Sequence, residues 1–316
     1  MAGLGRLTLG AGLALLAAAC APTAASLPIV SAVFQAREQV PGRMVYVRGG
    51  DLWLYERESS RQLTQGGTWF QPSFSPDAHE IAYVYWESNF ADIFVMTWNG
   101  TESRRLTRGQ AAYIAENDWA FRPTWSPDGS QIAYISDRNS YFPMVWVMDK
   151  DGGNKRQVLT SVAGLESSDA ISWAPDGKRI AVTALTQGTP SQIYLLDVAK
   201  STTEKLTSHA NGSFDPAWSP DGERVAYIGR EGALGELWVK RTDGGGEARF
   251  GKLSFVRSPA WAPDGKSLAV LAAQDGTFQV WLIPVQGNGE TVEFGEPRKL
   301  TQDGTIDAAS GLSWVK

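Results

Sequence analysis

Cysteine and histidine are nearly missing from this chain of 316 residues. A single cysteine, Cys20, excludes an intrachain disulfide. The only histidines, His79 and His209, leave too few nitrogen ligands for an ordinary transition-metal site, and no metal is expected. No block of Lys and Arg occurs and the formal net charge is −5, so the clustered basic face that holds nucleic-acid phosphates is absent. The sequence has no Gly-x-Ser-x-Gly nucleophile turn. Its glycine runs, Gly152-Gly153 and Gly244-Gly245-Gly246, follow strands ending in Asp, where a turn explains them without a phosphate loop, and no cofactor is expected. What the chain has in plenty is glycine and tryptophan, 33 and 13 residues. Many tight turns together with many large flat side chains point to short strands in a closed sheet architecture.

The position of the one cysteine is informative. Residues 1–20 read MAGLGRLTLGAGLALLAAAC. Arg6 is a short positive region, and Leu7 to Ala19 is an apolar segment too short to span a bilayer as a normal helix. Leu16-Ala17-Ala18-Ala19-Cys20 resembles a bacterial lipobox, although Ala17 sits where Leu is usual and only one basic residue precedes the apolar run. The resemblance implies a signal peptide over 1–19 and lipidation of Cys20, which would anchor the protein outside the cytoplasm. The alternative is an ordinary signal peptide cut at an Ala-rich site, with Cys20 incidental. Residues 20–42 then carry the lipidated cysteine and a tether, with Leu27 to Phe34 apolar enough to dock as an extra strand.

From residue 43 the chain repeats itself. PSFSPDAHEIAYV begins at Pro72, PTWSPDGSQIAYI at Pro123, ISWAPDGKRIAVT at Ile171, PAWSPDGERVAYI at Pro216 and PAWAPDGKSLAVL at Pro259. A second apolar run follows each, and a Leu-Thr pair often follows that, as at Leu106-Thr107 and Leu206-Thr207. The period of about 43 to 53 residues suits a four-stranded propeller blade. Each unit reads as an inner strand ending in an aromatic, a Ser-Pro-Asp-Gly turn, and two further strands alternating with period two. The Leu-Thr segment reads as a short outer strand. Such a sheet cannot bury both faces alone, but six arranged radially bury them against one another.

This pattern resembles the TolB-type propeller repeat, a relative of WD-repeat proteins. The closest copy is Pro123-Thr124-Trp125-Ser126-Pro127-Asp128-Gly129 with Ile132 to Ser136 and Val145 to Asp149. The resemblance implies an all-β, six-bladed β-propeller over 43–316. It does not extend to the separate N-terminal α/β domain of TolB itself, so TolB's role in the Tol–Pal envelope system is not carried over. The folded part starts with three strands, Met44–Arg48, Asp51–Glu56 and Arg61–Thr64, and ends with a lone inner strand, Leu312 to Val315. The last strand is expected to complete the first three and close the ring.

In this strand order the Ser-Pro-Asp-Gly turns share one face of the disc. The opposite face collects the loops that enter each inner strand and those that join second to third strands. There the sequence places Trp69, Trp86, Asn89, Phe90, Glu116, Asp118, Trp119, Arg122, Arg138, Tyr141 and Phe142. Trp, Tyr and Arg dominate interface energetics, which makes these the candidate partner-binding residues. Packing between repeats explains Phe70, Phe121 and Phe214 as well, because they recur at equivalent positions. Gln71, Asp169, His209, Asp215 and Arg257 are candidates for the mouth of the central channel. The repeated aspartates Asp77, Asp128, Asp176, Asp221 and Asp264 read as turn residues, since catalysis needs one constellation rather than five copies.

The function expected is that of a monomeric lipoprotein of the bacterial cell envelope, presenting its loop face to a protein, peptide or glycan. No catalytic residue is assigned. The alternative is a lyase or hydrolase acting on a glycan or peptide at the channel mouth with Glu116, Asp118, Arg122 or His209.

Overall fold

The computed structural model describes residues 40–159, 165–231, 234–274, 276–287, 291–302, 304 and 306–316. The signal peptide, Cys20, the tether up to residue 39 and the docking reading of Leu27 to Phe34 lie outside the described residues.

Six antiparallel sheets follow one another along the chain. Blade 1 is built from Trp69–Phe74, Glu80–Trp86, Ala91–Thr97 and Ser103–Arg105, and blade 2 from Ala120–Trp125, Gln131–Ser136, Met144–Asp149 and Arg156–Gln157. Blade 3 runs from Ser167–Trp173 to Thr202–Lys205, and blade 4 from Ser213–Trp218 to Glu247–Phe250. Blade 5 begins with Arg257–Trp261, and its third strand, Thr277–Gln286, pairs with both Glu293–Phe294 and Arg298–Lys299. Blade 6 joins both ends of the chain: Leu312–Val315 pairs with Arg43–Arg48, setting Val315 opposite Arg43 and Leu312 opposite Tyr46. The fold is the six-bladed β-propeller expected, closed by its last strand.

The period-two alternation decides which neighbour each side chain meets. In blade 1, Ile81 and Tyr83 pack toward blade 6, while Ala82 packs toward blade 2. Six hydrophobic clusters result, one for each junction between blades. The inner-strand tryptophans also donate across these junctions: Trp125 Nε1 to Ser73 O at 3.2 Å and Trp261 Nε1 to Ala217 O at 3.1 Å.

Two small motifs repeat with the blades. In the Ser-Pro-Asp-Gly turn, Ser75 Oγ donates to Asp77 Oδ1 at 2.6 Å and accepts the Glu80 N–H at 2.9 Å. Ser126 does the same for Asp128 and Gln131. The Leu-Thr pair is a cap rather than a strand. Thr107 Oγ1 accepts the Ile93 N–H at 2.9 Å and donates to Asp92 Oδ1 at 2.7 Å. Thr207 repeats this with Ile193 and Gln192, Thr301 with Val280 and Gln279, and Thr64 with Leu52 and Asp51. The outer strand of blade 6 accordingly lies at Ser59–Gln62, two residues before the Arg61–Thr64 expected: Leu63 N–H still bonds Leu52 O, and Thr64 forms the cap.

Candidate functional site

Eight large hydrophobic residues stand exposed among the described residues: Trp86, Tyr113, Ile114, Tyr141, Phe142, Leu185, Leu234 and Phe255. All eight lie on loops or strand ends of the face opposite the Ser-Pro-Asp-Gly turns. Five of them belong to blades 1 and 2, where Tyr141 is 100% exposed, Ile114 73% and Tyr113 71%.

These loops are held from below. The buried Asp92 carboxylate accepts the Gly109 N–H at 2.8 Å and pairs with Arg105, which fixes the start of the insert between the first two blades. Asp118 N donates to Gly109 O at 2.8 Å, closing its neck. Asn117 Oδ1 accepts the Ala111 N–H, and Asn117 Nδ2 donates to Asn89 O. A single turn of 3₁₀ helix, Ile114–Glu116, then carries Tyr113 and Ile114 at the tip. Trp119 N donates to Asp137 Oδ1 at 2.7 Å, and the Trp119 ring lies 5.2 Å from that of Trp86, which in turn contacts Phe70 and Phe121. Trp86 and Trp119 are thus the edge of an aromatic stack whose inner members belong to the repeat packing.

The central channel reaches from this face to Pro220 and Pro263 of the Pro-Asp-Gly turns on the other. It encloses ≈ 330 Å³ and is walled by small inner-strand residues such as Ser73, Thr124, Ser172, Ala217, Ala260 and Ser313. A ring of equivalent positions forms its mouth: Gln71, Arg122, Ala170, Asp215, Ser258 and Gly311. Four non-glycine members are held at positive φ, at 53°, 54°, 50° and 48° for Gln71, Arg122, Asp215 and Ser258. A left-handed backbone costs an L-residue about 1–2 kcal/mol, and such strain gathers where a ligand is held. Two pairs of neighbours in the ring are bonded. Arg122 N donates to Gln71 Oε1 at 2.8 Å, and Ser258 N donates to Asp215 Oδ2 at 3.2 Å. The Arg122 guanidinium approaches Asp215 at 4.0 Å, too far for a hydrogen bond, and its buried Nε has no partner. The ring therefore offers a cationic donor with unused capacity beside an anionic acceptor.

Of the residues singled out from the sequence, Gln71, Arg122 and Asp215 meet at this mouth. Asp169 and Arg257 do not line it; Ala170 and Ser258 stand in their places. The ring residue is the one immediately before Pro72, Pro123, Ile171, Pro216 or Pro259, and Asp169 and Arg257 stand one position earlier, where blades 1, 2 and 4 carry Phe70, Phe121 and Phe214. His209 is also away from the channel. It is half-buried in blade 4, where Nε2 lies 2.8 Å from Tyr227 OH and the ring packs on Trp238. Phe90 is buried, and Trp69 packs on Tyr83, Tyr85 and Phe94, so both act in the core. Trp86, Glu116, Arg138, Tyr141 and Phe142 are exposed, and Asn89, Asp118 and Trp119 are half-buried. Burial raises the Asp118 carboxyl above the ordinary range, against the pull of Arg138 at 3.8 Å. Among the described residues no group of three or more His, Cys, Asp or Glu is placed to hold a metal ion.

Sheets, turns and closure together define a six-bladed β-propeller built on a Ser-Pro-Asp-Gly repeat. Residues 52–165 and 115–292 match the TolB beta propeller domain, and the chain belongs to that family. An uncharacterized peptidase, YuxL, of Bacillus subtilis is 27% identical over 49% of this chain and 28% of its own length. The Tol-Pal system protein TolB of Anaeromyxobacter dehalogenans is 36% identical over 37% of this chain and 26% of its own. The matches thus span little more than a quarter of these curated relatives. Among solved structures, TolB from Acinetobacter baumannii superposes with a TM-score of 0.69 at 19% identity, covering 88% of this chain and 67% of that one. An oligogalacturonate lyase in complex with manganese superposes at 0.54 and 17% identity, covering 76% and 73%. At these identities the superpositions speak for the fold alone.

Proposed function

We propose that this protein is a membrane-anchored, extracytoplasmic binding protein that holds a protein, peptide or glycan on its loop face. The observation that carries the reading is the gathering of every exposed large hydrophobic side chain among the described residues on that one face, most of them on blades 1 and 2. Exposed aromatics beside arginines make a partner surface, because they bury much area at small entropic cost. The channel mouth adds a polar anchor in Arg122 and Asp215. Placement in the cell envelope rests on the lipobox-like run ending at Cys20 and accords with membership in a family that includes a Tol-Pal system protein.

The test is crosslinking of the full chain in its native envelope, with the captured partner purified and rebound in vitro. Trp86→Ala with Trp119→Ala is expected to lower that affinity at least tenfold while the melting temperature holds. Unchanged affinity in the double variant overturns the reading, and turnover of a peptide or glycan by the protein would replace it. Cys20→Ser is expected to release the protein from the membrane fraction.

A further inference from the structure

Four blades carry a tyrosine at the same place in their second strand: Tyr46, Tyr83, Tyr134 and Tyr227, each paired with the aromatic of the third strand. All four rings are buried. Each hydroxyl is directed toward the start of the outer strand, and in three blades it is bonded there. Tyr46 OH donates to Ser60 Oγ at 2.9 Å, Tyr83 OH shares a hydrogen bond with Ser103 Oγ at 2.7 Å, and Tyr227 OH donates to Glu247. In blade 2 the corresponding residue is Lys155, whose ammonium turns away to Gly152 O. Among the described residues Tyr134 OH has no hydrogen-bond partner, although the residue is only 2% exposed.

The space that this leaves is not closed. Tyr134 forms part of a cavity of ≈ 20 Å³ between blades 1 and 2, bordered by Arg108, Asp118, Ser136, Arg138 and Lys155. Three cations thus face one carboxylate. Burial first, and the neighbouring Arg138 second, hold the Lys155 ammonium below its ordinary pKa, against the pull of Asp151. The Tyr134 hydroxyl opens on that space with no protein acceptor among the described residues, so it is free to donate to what enters. Its chemistry is indicated by what surrounds it: one neutral donor at the base and exposed guanidinium groups of Arg108 and Arg138 at the rim.

We propose that this cavity is a phosphate-type oxyanion site. One ligand oxygen fills the small space and accepts from Tyr134 OH, with Lys155 and Arg138 on either side. The remaining oxygens stay at the rim, within the reach of Arg108. A dianion matches the excess of two positive charges that the lining residues carry. The site adjoins the aromatic face through Trp119, next to Asp118, but does not depend on that face being a partner surface.

Isothermal titration of the full chain in detergent, at constant ionic strength, tests this with inorganic phosphate and with glycerol 3-phosphate. Saturable binding of either is expected. Binding of both assigns a free or soluble phosphate, and preference for the ester assigns a headgroup-like monoester. Tyr134→Phe should weaken binding about tenfold, the loss expected for one hydrogen bond to a charged group. Lys155→Met should weaken it further. Tyr134→Phe removes no internal hydrogen bond, so its melting temperature should match the parent, whereas Tyr83→Phe should lower it. Absence of saturable binding, or binding that Tyr134→Phe and Lys155→Met leave unchanged, would mean that the cavity holds water only and would overturn the proposal. Neither result bears on partner capture through Trp86 and Trp119.

Discussion

Ser313 Oγ accepts the backbone N–H of Phe74 at 3.0 Å, a bond that spans 239 positions of the sequence. It ties the closing strand to the inner strand of blade 1, on the side away from its own sheet. Trp314 secures the other side, where Nε1 donates to Pro41 O at 2.7 Å. The last strand thus belongs to blade 6 by its ladder and to the junction with blade 1 by its side chains. Removing residues 311–316 should therefore open the ring and abolish cooperative thermal unfolding. A truncated protein that melts like the parent would show that the ring is held without its clasp. Ser313→Ala, a milder change, leaves the Phe74 N–H short of a partner and should cost about 1–3 kcal/mol.

The threonine caps allow a test within single blades. Thr207 Oγ1 accepts the buried Ile193 N–H and donates to Gln192 Oε1, so Thr207→Val removes an acceptor and a donor at once while keeping the shape. The expected loss is about 1–3 kcal/mol in chemical denaturation, with Thr107→Val similar or larger because Asp92 would lose a donor while remaining buried. A change below about 0.5 kcal/mol, the range of ordinary surface substitutions, would remove the cap from the account of blade stability.

How much of this was legible beforehand follows from where the physics is local. The Ser-Pro-Asp-Gly turn and the aromatic at the end of each inner strand are set by residues adjacent in sequence, so blade number, closure and the two faces can be read directly. The Leu-Thr pair was visible as a repeat but not as a cap, because its partners Asp92, Gln192 and Gln279 stand on another strand. Asp169 and Arg257 stand one residue before the ring, and the offset is legible in the sequence itself, because the ring residue immediately precedes Pro72, Pro123, Ile171, Pro216 and Pro259. His209 was drawn to the mouth by its nearness in sequence to Asp215, while Tyr227 and Glu247, which fix it, come later in the chain. The open hydroxyl of Tyr134 emerges only when four blades are compared in space.

Acid sensitivity should arise at the repeated turns. The Ser75 and Ser126 hydroxyls hold the Asp77 and Asp128 carboxyls below the ordinary carboxylate range, and Arg241 holds Asp243 down to about 2. A carboxylate whose folded pKa is depressed contributes stability that is complete above its unfolded value and is lost as pH falls toward the folded one. The window for Asp243 is therefore from about pH 4 down to about 2, with Asp77 and Asp128 losing theirs below pH 4 as well. Asp77→Asn combined with Asp128→Asn should flatten the fall of melting temperature below pH 4, and a slope equal to that of the parent would assign acid unfolding to other groups.

The glycine of the turn can be weighed separately. Gly129 sits at φ 69°, and the nearest atom to an added Cβ is Pro76 Cδ at 3.8 Å, so space is not the constraint. Gly129→Ala should cost about 1–2 kcal/mol through backbone conformation alone. A neutral result would mean that the turn relaxes freely, and the strain argument for the channel ring would weaken with it.

That ring gives the sharpest separation of binding from stability. Arg122 is held at φ 54° with a partly buried guanidinium whose Nε is buried without a partner and whose distance to Asp215 is 4.0 Å. Nothing in this arrangement favours the folded state strongly, yet it aims a cationic donor into the mouth of the channel. Arg122→Gly relieves the left-handed backbone and the desolvated charge together. Relief of about 1 kcal/mol is expected, seen as a melting temperature higher by about 2–4 °C, together with weaker partner binding. Asp215→Asn, which leaves the Arg122 cation without its nearby carboxylate, should shift binding toward more acidic partners while changing stability little. If Arg122→Gly instead lowers the melting temperature, the Arg122 side chain beside Asp215 holds the inner strands together, and the strained ring is a structural collar rather than a place prepared for a ligand.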